Sequence, residues 1–163
     1  MKTINQRQSA TVVGLSLILM ALAAGFSFGY VHNQVVISGN GQQTFENIST
    51  SLNLFCLGLA GWAVIFILDI IVSLSLCKLL NAVNSRASIT TAIFRLAYSA
   101  VLGISIYHLV QVYSLASNAT ASAAVFTEVI NHLENFQEIW SNGLIIFGFH
   151  LIGLAFLTFK SIS

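Results

Sequence analysis

The sequence predicts an all-α fold: an integral membrane four-helix bundle with an additional outer amphipathic helix. Three observations carry this. Apolar residues gather in four long runs. Charged residues make up only 7% of the chain, against about 25% in a soluble domain. Five of the six Lys and Arg fall on one side once the four runs alternate across a bilayer.

The chain is 56% hydrophobic, with a mean hydropathy of +0.87. A surface so poor in charge cannot be kept in water, and long apolar clusters are the mark of a membrane protein. Residues 1–163 are read as a single transmembrane domain. The net charge of +1 gives no footprint for nucleic acid.

The four spans are expected at about residues 11–30, 52–80, 89–115 and 139–159, each meeting the ~20 apolar residues that a span needs. The first has a rival reading. Lys2 and Arg7 precede an apolar run in which Ala21-Leu22-Ala23 resembles a small-residue cleavage site. The run continues past it through Phe26, Phe28 and Tyr30, which favours an uncleaved span; cleavage would leave three spans and an outside N-terminus. The second span encloses one charge, Asp69, and the third encloses Arg95. Proline is absent, so no helix carries a proline kink.

Orientation follows from the basic residues. Lys2 and Arg7 precede the first span, Lys78 and Arg86 bracket the second connection, and Lys160 follows the fourth. The opposite side carries Glu46, Glu128, Glu134 and Glu138 and no Lys or Arg. An excess of Lys and Arg marks the cytoplasmic side, so both termini are expected in the cytoplasm. The loop from His32 to Thr50 reads as polar, with a turn at Ser38-Gly39-Asn40-Gly41. Over about 120–136, Val125, Phe126, Val129, Ile130, Leu133 and Phe136 recur at helical spacing. That pattern predicts an amphipathic helix lying on the outer end of the bundle or in the interface. A covering helix is the simpler reading, a binding lid the other. Asn47-Ile48-Ser49 and Asn118-Ala119-Thr120 match the glycosylation pattern, a triplet common by chance.

The costly residues are the charges inside spans, at least ~2.5–3.5 kcal/mol each at a helix centre. Asp69 lies nine residues before Lys78, and Arg95 nine residues after Arg86. Both therefore reach about 13.5 Å from the basic end, on adjacent antiparallel helices, and an ion pair is expected. Ser88, Thr91, Arg95, Tyr98 and Ser105 share one face of the third span; Gly58, Trp62, Asp69, Ser73 and Leu76 share one face of the second. His150 reaches a similar depth, about 15 Å from Lys160. The expected buried polar centre, an ion pair or a ligand site, is thus Asp69, Arg95, His150, Tyr98 and Ser73.

His108 and His150 differ in depth by roughly 18 Å, which argues against a haem held between them. His32 and His132 fall in outer loops with no metal-ligand spacing around them. Cys56 and Cys77 sit about 30 Å apart in one span and cannot pair. Ala21, Gly25 and Gly29 recur every four residues and form a helix-packing signal, for the bundle or for dimerisation. No phosphate loop, His-Glu-x-x-His or Gly-x-Ser-x-Gly occurs.

Four stretches carry a resemblance. Phe66-Ile67-Leu68-Asp69 leads into Lys78-Leu79-Leu80-Asn81-Ala82-Val83-Asn84; then come Ile93-Phe94-Arg95-Leu96-Ala97-Tyr98 and Leu144-Ile145-Ile146-Phe147-Gly148-Phe149-His150-Leu151. Their order and spacing resemble the bacterial membrane family catalogued as domain of unknown function 4386. The resemblance implies a multi-span protein of a bacterial inner membrane with no established activity, and supplies no catalytic residues. It also implies further apolar helices beyond Lys160-Ser161, which makes this chain a short or truncated member.

The expected function is non-enzymatic, with no cofactor: binding of membrane lipid, a small ligand or a partner protein around the polar centre, with homo-oligomers as one form of partnership. A small transporter or proton-coupled carrier using the same charges is the alternative, and an enzyme on lipid-soluble substrates ranks below both.

Overall fold

The computed structural model describes residues 2–162, and the side chains of residues 6–161; the Lys2 side chain, counted above for orientation, lies outside them. The described residues contain helices and no strand. Four helices are long and apolar enough to cross a membrane.

Helix α1 (Lys2–Ala24) widens without a break into a π-helical segment, Gly25–His32, and a last short turn, Asn33–Val35. Residues four apart drift by about 40° around an α-helix. Ser27, Val31 and Val35, spaced four apart along this stretch, are all buried. The turn at Ser38–Gly39 follows as the sequence predicts, with Gly39 at φ +76°, where the missing Cβ removes the steric cost.

The segment read as a polar loop then holds a helix, α2 (Gly41–Thr50), capped by Asn40 Oδ1 accepting from the Gln43 amide at 3.0 Å. Its apolar side, Phe45 and Ile48, is buried. After one non-helical residue, Ser51, α3 runs over Leu52–Leu80. A short turn leads to α4 (Ser85–Asn118), capped by Asn84 Oδ1 on the Ala87 amide at 3.1 Å.

Helix α5 spans Ala123–Ile162, 40 residues or about 60 Å. The amphipathic helix expected over 120–136 is therefore its first part. It stands upright as a continuation of the fourth span instead of lying across the bundle end. Val129, Leu133 and Phe136 are buried along it, while Glu128, Glu134 and Glu138 face out. Helix α2 packs beside this upright part, with Phe45 against Phe126 at 5.4 Å between ring centres.

In lipid, helices gain little from burying apolar surface against each other, so close packing and polar contacts decide the arrangement. Among the close approaches are those made by glycines of α3 and α5. A Cβ at Gly58 would stand 2.9 Å from Val31 Cγ1, one at Gly143 2.9 Å from Val101 Cγ1, and one at Gly153 2.3 Å from Thr91 Oγ1. The Ala21, Gly25 and Gly29 stripe points outward instead: all three are exposed, and nothing lies within 4 Å of a Cβ at Gly25 or Gly29. It does not pack the bundle. Ile18, Leu22 and Ile152 are 61%, 67% and 68% exposed, a surface suited to hydrocarbon. Cys56 and Cys77 are free thiols.

Candidate functional site: a buried Asp–Arg–His centre

Two faces singled out in the sequence are the ones the fold buries. Gly58, Trp62, Asp69, Ser73 and Leu76 of α3 are buried, and so are Ser88, Thr91, Arg95, Tyr98 and Ser105 of α4. Where the faces meet, Arg95 Nη2 lies 2.6 Å from Asp69 Oδ1. The other carboxylate oxygen, Oδ2, accepts from Ser99 Oγ at 2.5 Å. Ser99 Oγ also lies 3.0 Å from the Arg95 carbonyl. A hydroxyl has one proton to give, and the shorter, charged contact takes it.

The third member comes from α5. Arg95 Nη1 lies 3.1 Å from His150 Nε2, and His150 Nδ1 lies 2.9 Å from the Thr91 carbonyl. These contacts fix the imidazole. A guanidinium only donates, so Nε2 accepts; a carbonyl only accepts, so Nδ1 carries the proton. His150 is thus held neutral, in one tautomer, with both nitrogens used. Phe147 closes the cluster, with Arg95 Cζ 5.3 Å from its ring centre, a cation–π contact.

The centre is sealed. Asp69 is 0% exposed, Arg95 2% and His150 1%. Its members are not all satisfied: Arg95 Nε is buried with no hydrogen-bond partner, and Asp69 Oδ1 meets Arg95 as a charge contact without hydrogen-bond alignment. Arg95 nevertheless bridges three helices, joining α3 through Asp69 and α5 through His150.

Two residues expected in the centre are placed beside it. Ser73 Oγ donates to the Ala92 carbonyl at 3.0 Å, one turn nearer the basic end than Asp69. With Ser88 Oγ on the Cys77 carbonyl at 2.8 Å it stitches α3 to α4. Tyr98 OH accepts from Trp140 Nε1 at 3.2 Å, and its ring packs on Phe147 with centres 5.1 Å apart. Ser99 was not singled out in the sequence, although it lies one helical turn past Arg95.

A second polar region lies toward the acidic end. A cleft of about 170 Å³ opens between the 36–39 loop and α5, lined by His32, Ser38, Leu133, Glu134 and Gln137. His32 also borders a smaller cavity of about 20 Å³ with Ser27, Trp62 and Phe136, room for one water. Ser27 Oγ is buried there without a partner. His108 and His132 meet with their Nδ1 atoms 2.9 Å apart. His150 contacts α4 at Thr91, about 25 Å along that helix from His108, in keeping with the depth argument against a shared haem.

The comparisons with known proteins identify a family and assign no activity. An uncharacterised protein of Archaeoglobus fulgidus is 30% identical over 103 residues, which are 63% of this chain and 51% of that protein. The chain thus spans about half the length of the curated relative it matches. No solved structure matches it. The family profile described as Domain of unknown function (DUF4386) matches residues 12–162, nearly the whole chain. The Asp69, Arg95 and His150 stretches all lie within that match, and the chain belongs to the DUF4386 family.

Proposed function

We propose that this chain is a non-enzymatic protein of a bacterial inner membrane, crossing it four times with both termini in the cytoplasm. In this reading Asp69, Arg95 and His150 clamp three helices together, and a lipid, small ligand or partner protein is bound at the acidic end. One observation carries it: the charged centre is sealed, whereas the 170 Å³ cleft beside His32 and Glu134 is open. A buried ion pair is a poor source of net stability but is costly to break, which suits a device that fixes how helices dock.

Native mass spectrometry of protein released from mild detergent tests the reading. A retained non-protein mass should be lost when Leu133→Trp fills the cleft and should survive Arg95→Gln in the folded fraction. Loss with Arg95→Gln alone would move the site to the charged centre. A second reading, a small proton-coupled carrier, draws on the buried, unpartnered Arg95 Nε, since charges within spans often mark ion paths. It requires Asp69→Asn to abolish flux in proteoliposomes that the wild type supports.

A further inference from the structure

His108 and His132 serve neither the clamp nor the cleft, yet two neighbouring helices bring their rings together. His108 sits on α4 and His132 on the upright part of α5, both half-buried, with ring centres 5.2 Å apart. Their Nδ1 atoms are 2.9 Å apart. A neutral imidazole has one N–H and one lone pair, so this contact holds a single proton between two basic nitrogens. We propose that a divalent first-row transition ion of the imidazole-binding kind, such as Zn²⁺, replaces that proton, making His108 and His132 two ligands of a metal site at the acidic end.

The geometry needs little change. Zinc–nitrogen bonds of about 2.0–2.1 Å at a tetrahedral angle hold the two nitrogens about 3.3 Å apart. The pair opens by roughly 0.4 Å to admit the ion, a movement within side-chain rotation. Imidazole nitrogen is the ligand type that selects zinc, copper and nickel over magnesium or calcium.

The surroundings favour a cation. Glu128 lies one turn before His132, and residues four apart on a helix are neighbours with Cβ atoms about 5–6 Å apart. Glu46, Glu134 and Glu138 occupy the same end, and among the described side chains the basic ones outside the centre, Arg7, Lys78, Arg86 and Lys160, belong to the opposite end. No three His, Cys, Asp or Glu are already gathered for a metal among the described residues. Glu128 therefore enters by changing rotamer, giving a two-His, one-carboxylate set with positions left for water.

The inference is independent of the clamp and of the cleft. Its test is titration of tag-free, chelator-washed full-length protein in detergent with Zn²⁺ alone, followed by calorimetry. A Cys56→Ala background removes the one exposed thiol. The expected result is one equivalent bound, with affinity lowered at least about tenfold in His108→Gln and in His132→Gln, and unchanged in His32→Gln. The exposed Glu128→Gln, which disturbs no packing, should weaken binding about tenfold and keeps the test decisive if a histidine variant fails to fold. Zn²⁺ should raise the melting temperature of the parent and not of the histidine variants. No saturable binding by 1 mM, or binding that His108→Gln, His132→Gln and Glu128→Gln all leave intact, would overturn the proposal.

Discussion

Removing either member of the Asp69–Arg95 pair should be as damaging as removing both. With charge centres about 4 Å apart and an effective dielectric near 20, their attraction is about 4 kcal/mol. Desolvation offsets much of that in the intact protein, so the pair contributes little net stability. A single neutralisation forfeits the attraction and leaves the other charge stranded at 0% or 2% exposure, at about 3–5 kcal/mol. Asp69→Asn strands Arg95, whose Nε already lacks a partner. Arg95→Gln strands the Asp69 carboxylate with only Ser99 to donate to it. In Asp69→Asn/Arg95→Gln the two amides can bond to each other and no charge remains. The double variant should be no less stable than the worse single, which requires a coupling of about 3–5 kcal/mol or more. Ordinary hydrogen bonds between membrane helices contribute about 0.6–2 kcal/mol, so a coupling of that size marks a charge pair. The assay is reversible unfolding in mixed micelles of the four proteins. Free energies that add within about 0.5 kcal/mol would refute the reasoning.

Further expectations follow from the same coordinates. His150→Ala leaves Arg95 Nη1 unpaired beside a cavity, takes the second hydrogen bond from the Thr91 carbonyl, and should cost about 2–5 kcal/mol in the same micelles. His150→Gln, whose amide can accept from Arg95 and donate to Thr91, should cost less than half as much; equal losses would show that the two hydrogen bonds contribute nothing. Gly153→Ala puts a Cβ 2.3 Å from Thr91 Oγ1 and should destabilise by about 1–3 kcal/mol, read as a lower melting temperature, whereas Gly148→Ala, with nothing within 4 Å, should not. For orientation, a membrane-impermeant maleimide applied to whole cells should label Ser38→Cys and spare Ser85→Cys in a background without Cys56 and Cys77. The reverse pattern would invert the topology.

The sequence spoke most clearly through depth. Counting from Lys78 and Arg86 brought Asp69 and Arg95 to one level, and helical periodicity brought them to facing sides. Both inferences rest on the fixed rise and turn of a helix, which tertiary packing leaves unchanged. The same arithmetic misled for His132. A helix over about 120–136 lying across the bundle end has no height of its own, so the sequence alone does not bring His132 level with His108. Nothing between Ala123 and Gly143 is a helix stop such as Gly or Pro, and that was the available sign that α5 continues. Helix α2 was harder to see, since ten residues with Phe45 and Ile48 as the large apolar ones make too little periodicity to stand out from a loop. The outward turn of Gly25 and Gly29 was not legible at all. Small residues permit close approach, but which face meets a neighbour depends on the rest of the bundle.

The uninterrupted length of α5 has a mechanical meaning. A helix of about 60 Å is twice the hydrocarbon thickness of a bilayer, so a rigid rod joins events outside the membrane to His150 inside it. Two glycines hold this rod against α4, Gly143 beside Val101 and Gly153 beside Thr91, and His150 lies between them. His150 is thus pinned on both sides near the middle of the membrane, while α2 braces the far end of the rod at Phe126.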